Sequence, residues 1–97
     1  MKHRILILEW EIHLFTSASL KDKRQIRQRL TDRLKAGYNI SIAETAHLDK
    51  WQRLGLTVAY VAVDESTAGK MAETLREACE TWLDGQGELT SVDREII

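Results

Sequence analysis

A chain of 97 residues with 43% hydrophobic and 30% charged residues and no proline holds one core and is too short for two. We therefore expect a single domain over residues 1–97, ordered nearly end to end. The lone cysteine excludes an internal disulfide, and the longest apolar run falls far short of the ~20 residues a membrane span requires. MKHRILILEW has neither the long apolar stretch nor the cleavage site of a signal peptide, so the expected compartment is the cytoplasm.

The formal net charge of −1 exerts no global pull on nucleic acid, but the charges are segregated. Lys21, Lys23, Arg24, Arg27, Arg29, Arg33 and Lys35 make up half of the 14 cations. From Asp64 onward the acids dominate, with only Lys70, Arg76 and Arg94 against them.

His3 to Leu14 alternates as a strand, with Leu6, Leu8, Trp10, Ile12 and Leu14 on the face expected to meet a core. Ser19 is placed to cap a helix that begins at Leu20 and that Gly37 ends. Along this helix Ile26, Leu30 and Leu34 form a stripe, and Lys23 and Arg27 fall on or beside it. Such cations either snorkel past apolar surface to water or meet an anion or a partner carboxylate.

Tyr38 to His47 alternates again as a second strand, and Leu54 to Val63, apolar at nearly every position, reads as a central strand. Between them lies a join, 47–53. Asp64 or Ser66 caps the next helix, whose stripe runs from Ala68 through Leu75 and Cys79 to Leu83; Gly85 and Gly87 stop it. Glu88 to Ile97 is the last strand.

The order strand, helix, strand, strand, helix, strand specifies an α+β fold, the ferredoxin-like β-α-β-β-α-β sandwich: a four-stranded antiparallel sheet with two helices on one face. The other face has no helix to cover it. Ile5, Ile7, Glu11, His13, Ser41, Thr45, His47 and Thr57 are expected there, and a mixed surface with aliphatics suggests a partner.

Three ordered stretches carry a family resemblance across essentially the whole chain. Glu11-Ile12-His13, the run Ser19-Leu20-Lys21-Asp22-Lys23-Arg24, and Ala43-Glu44 through His47 with Asp49-Lys50-Trp51-Gln52-Arg53 resemble the YlxP-like family, small bacterial proteins of unassigned function. The resemblance implies a ferredoxin-like fold. It also implies a link to RNA or the ribosome, because members are often encoded among transcription and translation genes. Phe15 stands where that family usually has proline, and Arg27 and Thr31 where its helix is usually aliphatic.

Lys21, Lys23, Arg24 and Arg27, with Lys50 and Arg53 from the join, are the candidate phosphate contacts, and Trp51 the candidate base-stacking ring. Against this, a basic helix is commonly a solvated face, and Trp51 with Leu48 and Leu54 has the spacing of a packing plug. No aromatic of an RNA-recognition-motif pattern falls on the open faces of the first and third strands.

Glu11, His13, Thr45 and His47 on the open sheet face are the candidate surface for a protein partner. A metal or acid-base site drawn from Glu11, His13, His47 and Asp49 meets a geometric objection. In this fold the third strand separates the first from the second, leaving His13 and His47 about two strand spacings, ~10 Å, apart. Glu44 is expected to pair semi-buried with Lys23, Arg53 or the helix, and Cys79 to be a buried structural thiol. No metal, cofactor, small-molecule substrate or catalytic residue is assigned. The expectation is a non-enzymatic, homodimeric module associated with RNA or the ribosome. Its alternatives are a homodimeric interaction or regulatory subunit that works through the open face and, ranked below it, a small-molecule or metal-binding enzyme.

Overall fold

A computed structural model describes residues 2–97. The elements are β1 (Arg4–Leu14), α1 (Leu20–Gly37), β2 (Ser41–Ala46), β3 (Arg53–Ala62), α2 (Glu65–Leu83) and β4 (Gly87–Ile96). The strands form one antiparallel sheet in the order β2-β3-β1-β4. This is the expected β-α-β-β-α-β sandwich, with both helices on one side of the sheet.

Side-chain alternation decides which face is buried. Leu6, Leu8, Trp10, Ile12 and Leu14 of β1 meet Leu54, Leu56 and Val58 of β3, and the stripes of both helices close over them. The charges that alternate with these residues are thereby turned to the opposite face, which no element among the described residues covers.

Each helix starts where its sequence places a cap. Ser19 accepts a hydrogen bond from the Asp22 N–H at 3.0 Å, and Asp64 from the Thr67 N–H at 2.8 Å, which selects Asp64 over Ser66 as the second cap. α1 runs through Gly37, and Tyr38 is its C-cap, with its N–H donating to Leu34 O. α2 ends on Asp84 and Gly85, both in the left-handed region, at φ 47° and 76°. No helix among the described residues is long and apolar enough to cross a membrane.

The second strand is shorter than its alternation suggests. The alternating run began at Tyr38 and reached His47, but pairing with β3 begins at Ser41 and ends at Ala46. A register shift lies between Glu44 and Ala46, and His47 leaves the strand at φ 58°. A non-glycine residue in that region is uncommon and is held only where its surroundings fix it.

Candidate functional site

The fixing contact at His47 comes from the first helix. Lys23 Nζ donates to the His47 carbonyl at 2.6 Å and lies 2.7 Å from Glu44 Oε2. Arg27 Nη1 bonds the other oxygen, Glu44 Oε1, at 2.9 Å. Glu44 Oε2 receives no aligned hydrogen bond, so the Lys23 contact with it is an ion pair of charge proximity, while the ammonium's directed bond goes to the carbonyl.

Lys23 is 2% exposed and does not snorkel; of the readings weighed for it, the partner carboxylate is the one found. Its burial removes it from any surface that touches phosphate, which corrects its place among the candidate contacts. Arg27 is half-buried and shares Glu44 with it. The expected pairing of Glu44 holds for Lys23 and the helix, and not for Arg53.

A second set of contacts crosses the open face of the sheet. His47 Nε2 bonds Glu11 Oε1, and Arg53 Nη2 lies 3.3 Å from the same oxygen. An ionised carboxylate only accepts, so the Nε2 atom carries the proton in this bond. His47 follows β2, Glu11 belongs to β1, and β3 lies between them, the same two-strand separation that sets His13 apart from His47. The reach is made by Gly55, which pairs with Glu11 on one side and Ala46 on the other and has no side chain on that face. A Cβ built on Gly55 would stand 2.6 Å from Ala46 Cβ and 3.1 Å from Ala46 O. An isolated glycine inside a strand pattern was the available signal for such a close approach.

His47 and His13 do not share a partner. His13 pairs across the sheet with Arg53, and its ring meets Phe15 edge to face at 5.2 Å. Among the described residues no group of three or more His, Cys, Asp or Glu side chains is arranged to hold a metal ion.

The hydrogen bond with His47 is the main cause holding the Glu11 carboxyl below its ordinary 4.5; partial burial opposes it, and the Arg53 charge adds to it. Burial pushes the Cys79 thiol up to about 12, so at neutral pH it is a protonated core group.

These two contact sets seat the join, 47–53, against the start of α1. Gln52 Nε2 donates to Ser17 O at 3.2 Å, and Leu14 N–H donates to Gln52 O at 2.8 Å. Lys21 and Arg24 on the first turns of the helix and Lys50 on the join are exposed at this end of the molecule, without ion-pair partners among the described residues. Trp51 is 56% exposed and Leu48 64% exposed. The packing-plug arrangement is therefore absent: of the three residues, only Leu54 enters the core. Thr45 stands on the open face with its hydroxyl 2.7 Å from that of Thr57.

The end with Lys21, Arg24, Lys50 and Trp51 differs in chemistry from the open face, where Glu9, Glu11 and Asp93 line a concavity of about 340 Å³ together with Thr45, Thr57 and Ser91. The first can hold an anion and a planar ring. The second repels phosphate.

Comparison with known proteins adds kinship. A family profile described as "Protein of unknown function (DUF503)" matches residues 5–96. A Bacillus subtilis (strain 168) protein described as "Uncharacterized protein YlxP" is 35% identical over 54 residues, which is 56% of this chain and 59% of that relative's length. The match thus spans less than two thirds of the relative. Among solved structures, a de novo designed protein with a ferredoxin fold superposes with a TM-score of 0.56 at 20% identity, over 99% of this chain and 85% of the other. A ferredoxin-like protein of unknown function from Thermobifida fusca, described as dimeric, gives 0.53 at 10% identity, over 100% and 92%. These likenesses show the fold.

Proposed function

The chain belongs to the DUF503 family of proteins of unknown function, and we propose that it is a cytoplasmic, non-enzymatic module that binds RNA, in the setting of the ribosome, through its basic end. Lys21, Arg24 and Lys50 meet phosphates, with Arg53 at the margin. Trp51 stacks on an unpaired base. Lys23 and Arg27 take no part in contact; through Glu44 and the His47 carbonyl they hold the join in place.

The observation that carries this reading is Trp51. A large aromatic ring, 56% exposed on a short join and adjacent in sequence to an exposed lysine, contributes little to the core. Water exposure of such a ring is costly and is relieved by a flat partner. The acidic open face argues against the sheet-face binding of an RNA-recognition motif, so the basic end is the surface left for RNA. The gene setting implied by the YlxP-like resemblance points the same way.

Two copies make up the working unit in this reading. Support comes from the uncovered sheet face and from the description of the Thermobifida fusca neighbour as dimeric.

The test is fluorescence anisotropy of a labelled single-stranded oligoribonucleotide titrated with the protein at several salt concentrations. The expected result is a linear fall of log affinity with log salt, with a slope of about −0.7 per phosphate contacted. Lys21→Glu with Arg24→Glu weakens binding at least ~tenfold, and Trp51→Ala costs ~1–3 kcal/mol of binding while leaving the melting temperature unchanged. Binding indifferent to salt and to these substitutions would overturn the reading.

A further inference from the structure

We infer that the open face of the sheet is closed by a second copy of this chain, the β1–β4 half of each copy lying over the β2–β3 half of the other. The inference rests on the two-copy unit of the proposed function and specifies its surface and pairing.

The face is chemically divided along the strands. Register and alternation place Glu9, Glu88, Asp93 and Glu95 on its β1–β4 half together with His13, while the Glu11 carboxylate reaches over Gly55 to His47 and Arg53. Among the described residues the β2–β3 strands contribute no acid of their own to the face: they present the Ser41, Thr45 and Thr57 hydroxyls, with Arg53 paired to Glu11 of the same copy. At the far end of the face, both halves turn aliphatic. Ile5 and Ile7 on one are matched by Val61 and Ala59 on the other, and Val61 stands 69% exposed.

A two-fold axis parallel to the strands and passing between β1 and β3 superposes these unlike halves. Row by row, it sets Ile5 over Val61 of the second copy, Ile7 over Ala59, and Asp93 over Ala43, beside the Thr45 hydroxyl that meets Thr57 of the same row. The Thr45 and Thr57 hydroxyls share one hydrogen bond between them, so one of their two protons is left to donate to a carboxylate. The concavity lined by Glu9, Asp93, Thr45, Thr57 and Ser91 leaves room for side chains arriving from the other sheet.

An axis perpendicular to the strands fails the same inspection. It lays β1 on β1 and β4 on β4, so the acids of the two copies face one another or face isoleucine. Like charges so placed cost affinity.

The area is adequate. Four strands at ~4.8 Å spacing and about nine residues at ~3.4 Å give roughly 600 Å² per copy and ~1,200 Å² in all. That reaches the lower end of stable protein interfaces, about 1,200–2,000 Å².

The test exploits a pair that cannot meet within one copy. Asp93 on β4 and Thr45 on β2 stand three strand spacings apart, ~14 Å, so any coupling between them crosses the interface. Sedimentation equilibrium of the full chain is measured for the wild type, Thr45→Glu, Asp93→Lys and the double variant. Both positions are exposed, and a thermal melt checks that each variant is folded. The expected result is a reversible dimer that Thr45→Glu weakens at least ~tenfold and that adding Asp93→Lys restores to within ~threefold of wild type. Thr45→Lys alone tightens it.

A dimer indifferent to Thr45→Glu, or not restored by Asp93→Lys, would overturn this pairing and leave the two-copy unit standing. A folded monomer at every concentration would overturn both and give the face to a different partner.

Discussion

Removing the Lys23 ammonium would leave the Glu44 carboxylate, 9% exposed, with Arg27 as its only cation among the described residues. Breaking a buried pair on one side costs about 3–5 kcal/mol, because the surviving charge is left in low dielectric. Lys23→Met is therefore expected to lower the urea midpoint strongly, and Lys23→Met combined with Glu44→Gln to recover most of the loss. A Lys23→Met variant as stable as wild type would show that the pair does not hold the join. At Glu11 the effect is one of titration. Because the His47 bond lowers its folded-state value, the stabilisation is complete above the ordinary carboxylate range and is lost as pH falls through that lowered value. A carbon-13 titration is expected to place Glu11 below 4.5 and to move it upward in His47→Ala. An unmoved Glu11 would mean the bond is not made in solution.

Among elements, the β2–β3 join depends on a gap in the central strand. A methyl group at Gly55 meets both the side chain and the backbone of Ala46, so Gly55→Ala requires the bulged strand to shift. The expected cost is ~1–3 kcal/mol in denaturant unfolding, as for overpacking elsewhere, with loss of the Glu11–His47 contact; a neutral variant would contradict the gap's role. This join also marks the limit of what the chain discloses in one dimension. Strands and helices were legible because Leu6 to Leu14 and Ala68 to Leu83 carry clean periods of two and of three to four, and Ser19, Asp64 and Gly85 punctuate them. The end of β2 was not, because nothing in His47 itself signals a left-handed backbone; it is imposed by a lysine 24 residues earlier. Lys23 reads as a snorkelling cation since its spacing along the stripe is the same whether or not a carboxylate awaits it. The exposed Trp51 shares its spacing with a core plug, and only the fold shows that the ring points away.

At the scale of the molecule, the chain divides its surface between two chemistries. Cations and an exposed indole gather where α1 begins and the join turns, and carboxylates gather on half of the open sheet face. A net charge of −1 conceals this separation, because it sums over surfaces that point different ways. In the proposed reading one face serves a second copy and one end serves RNA, and Arg53 lies where the two surfaces adjoin. The measurement that bears most directly on the RNA claim is sedimentation of the tagged protein from a gently lysed bacterial extract through a density gradient, at low and high salt, with and without ribonuclease. Co-migration with ribosomal particles is expected at low salt, lost at high salt and lost in the Lys21→Glu, Arg24→Glu variant. Migration as a small species under every condition would contradict it.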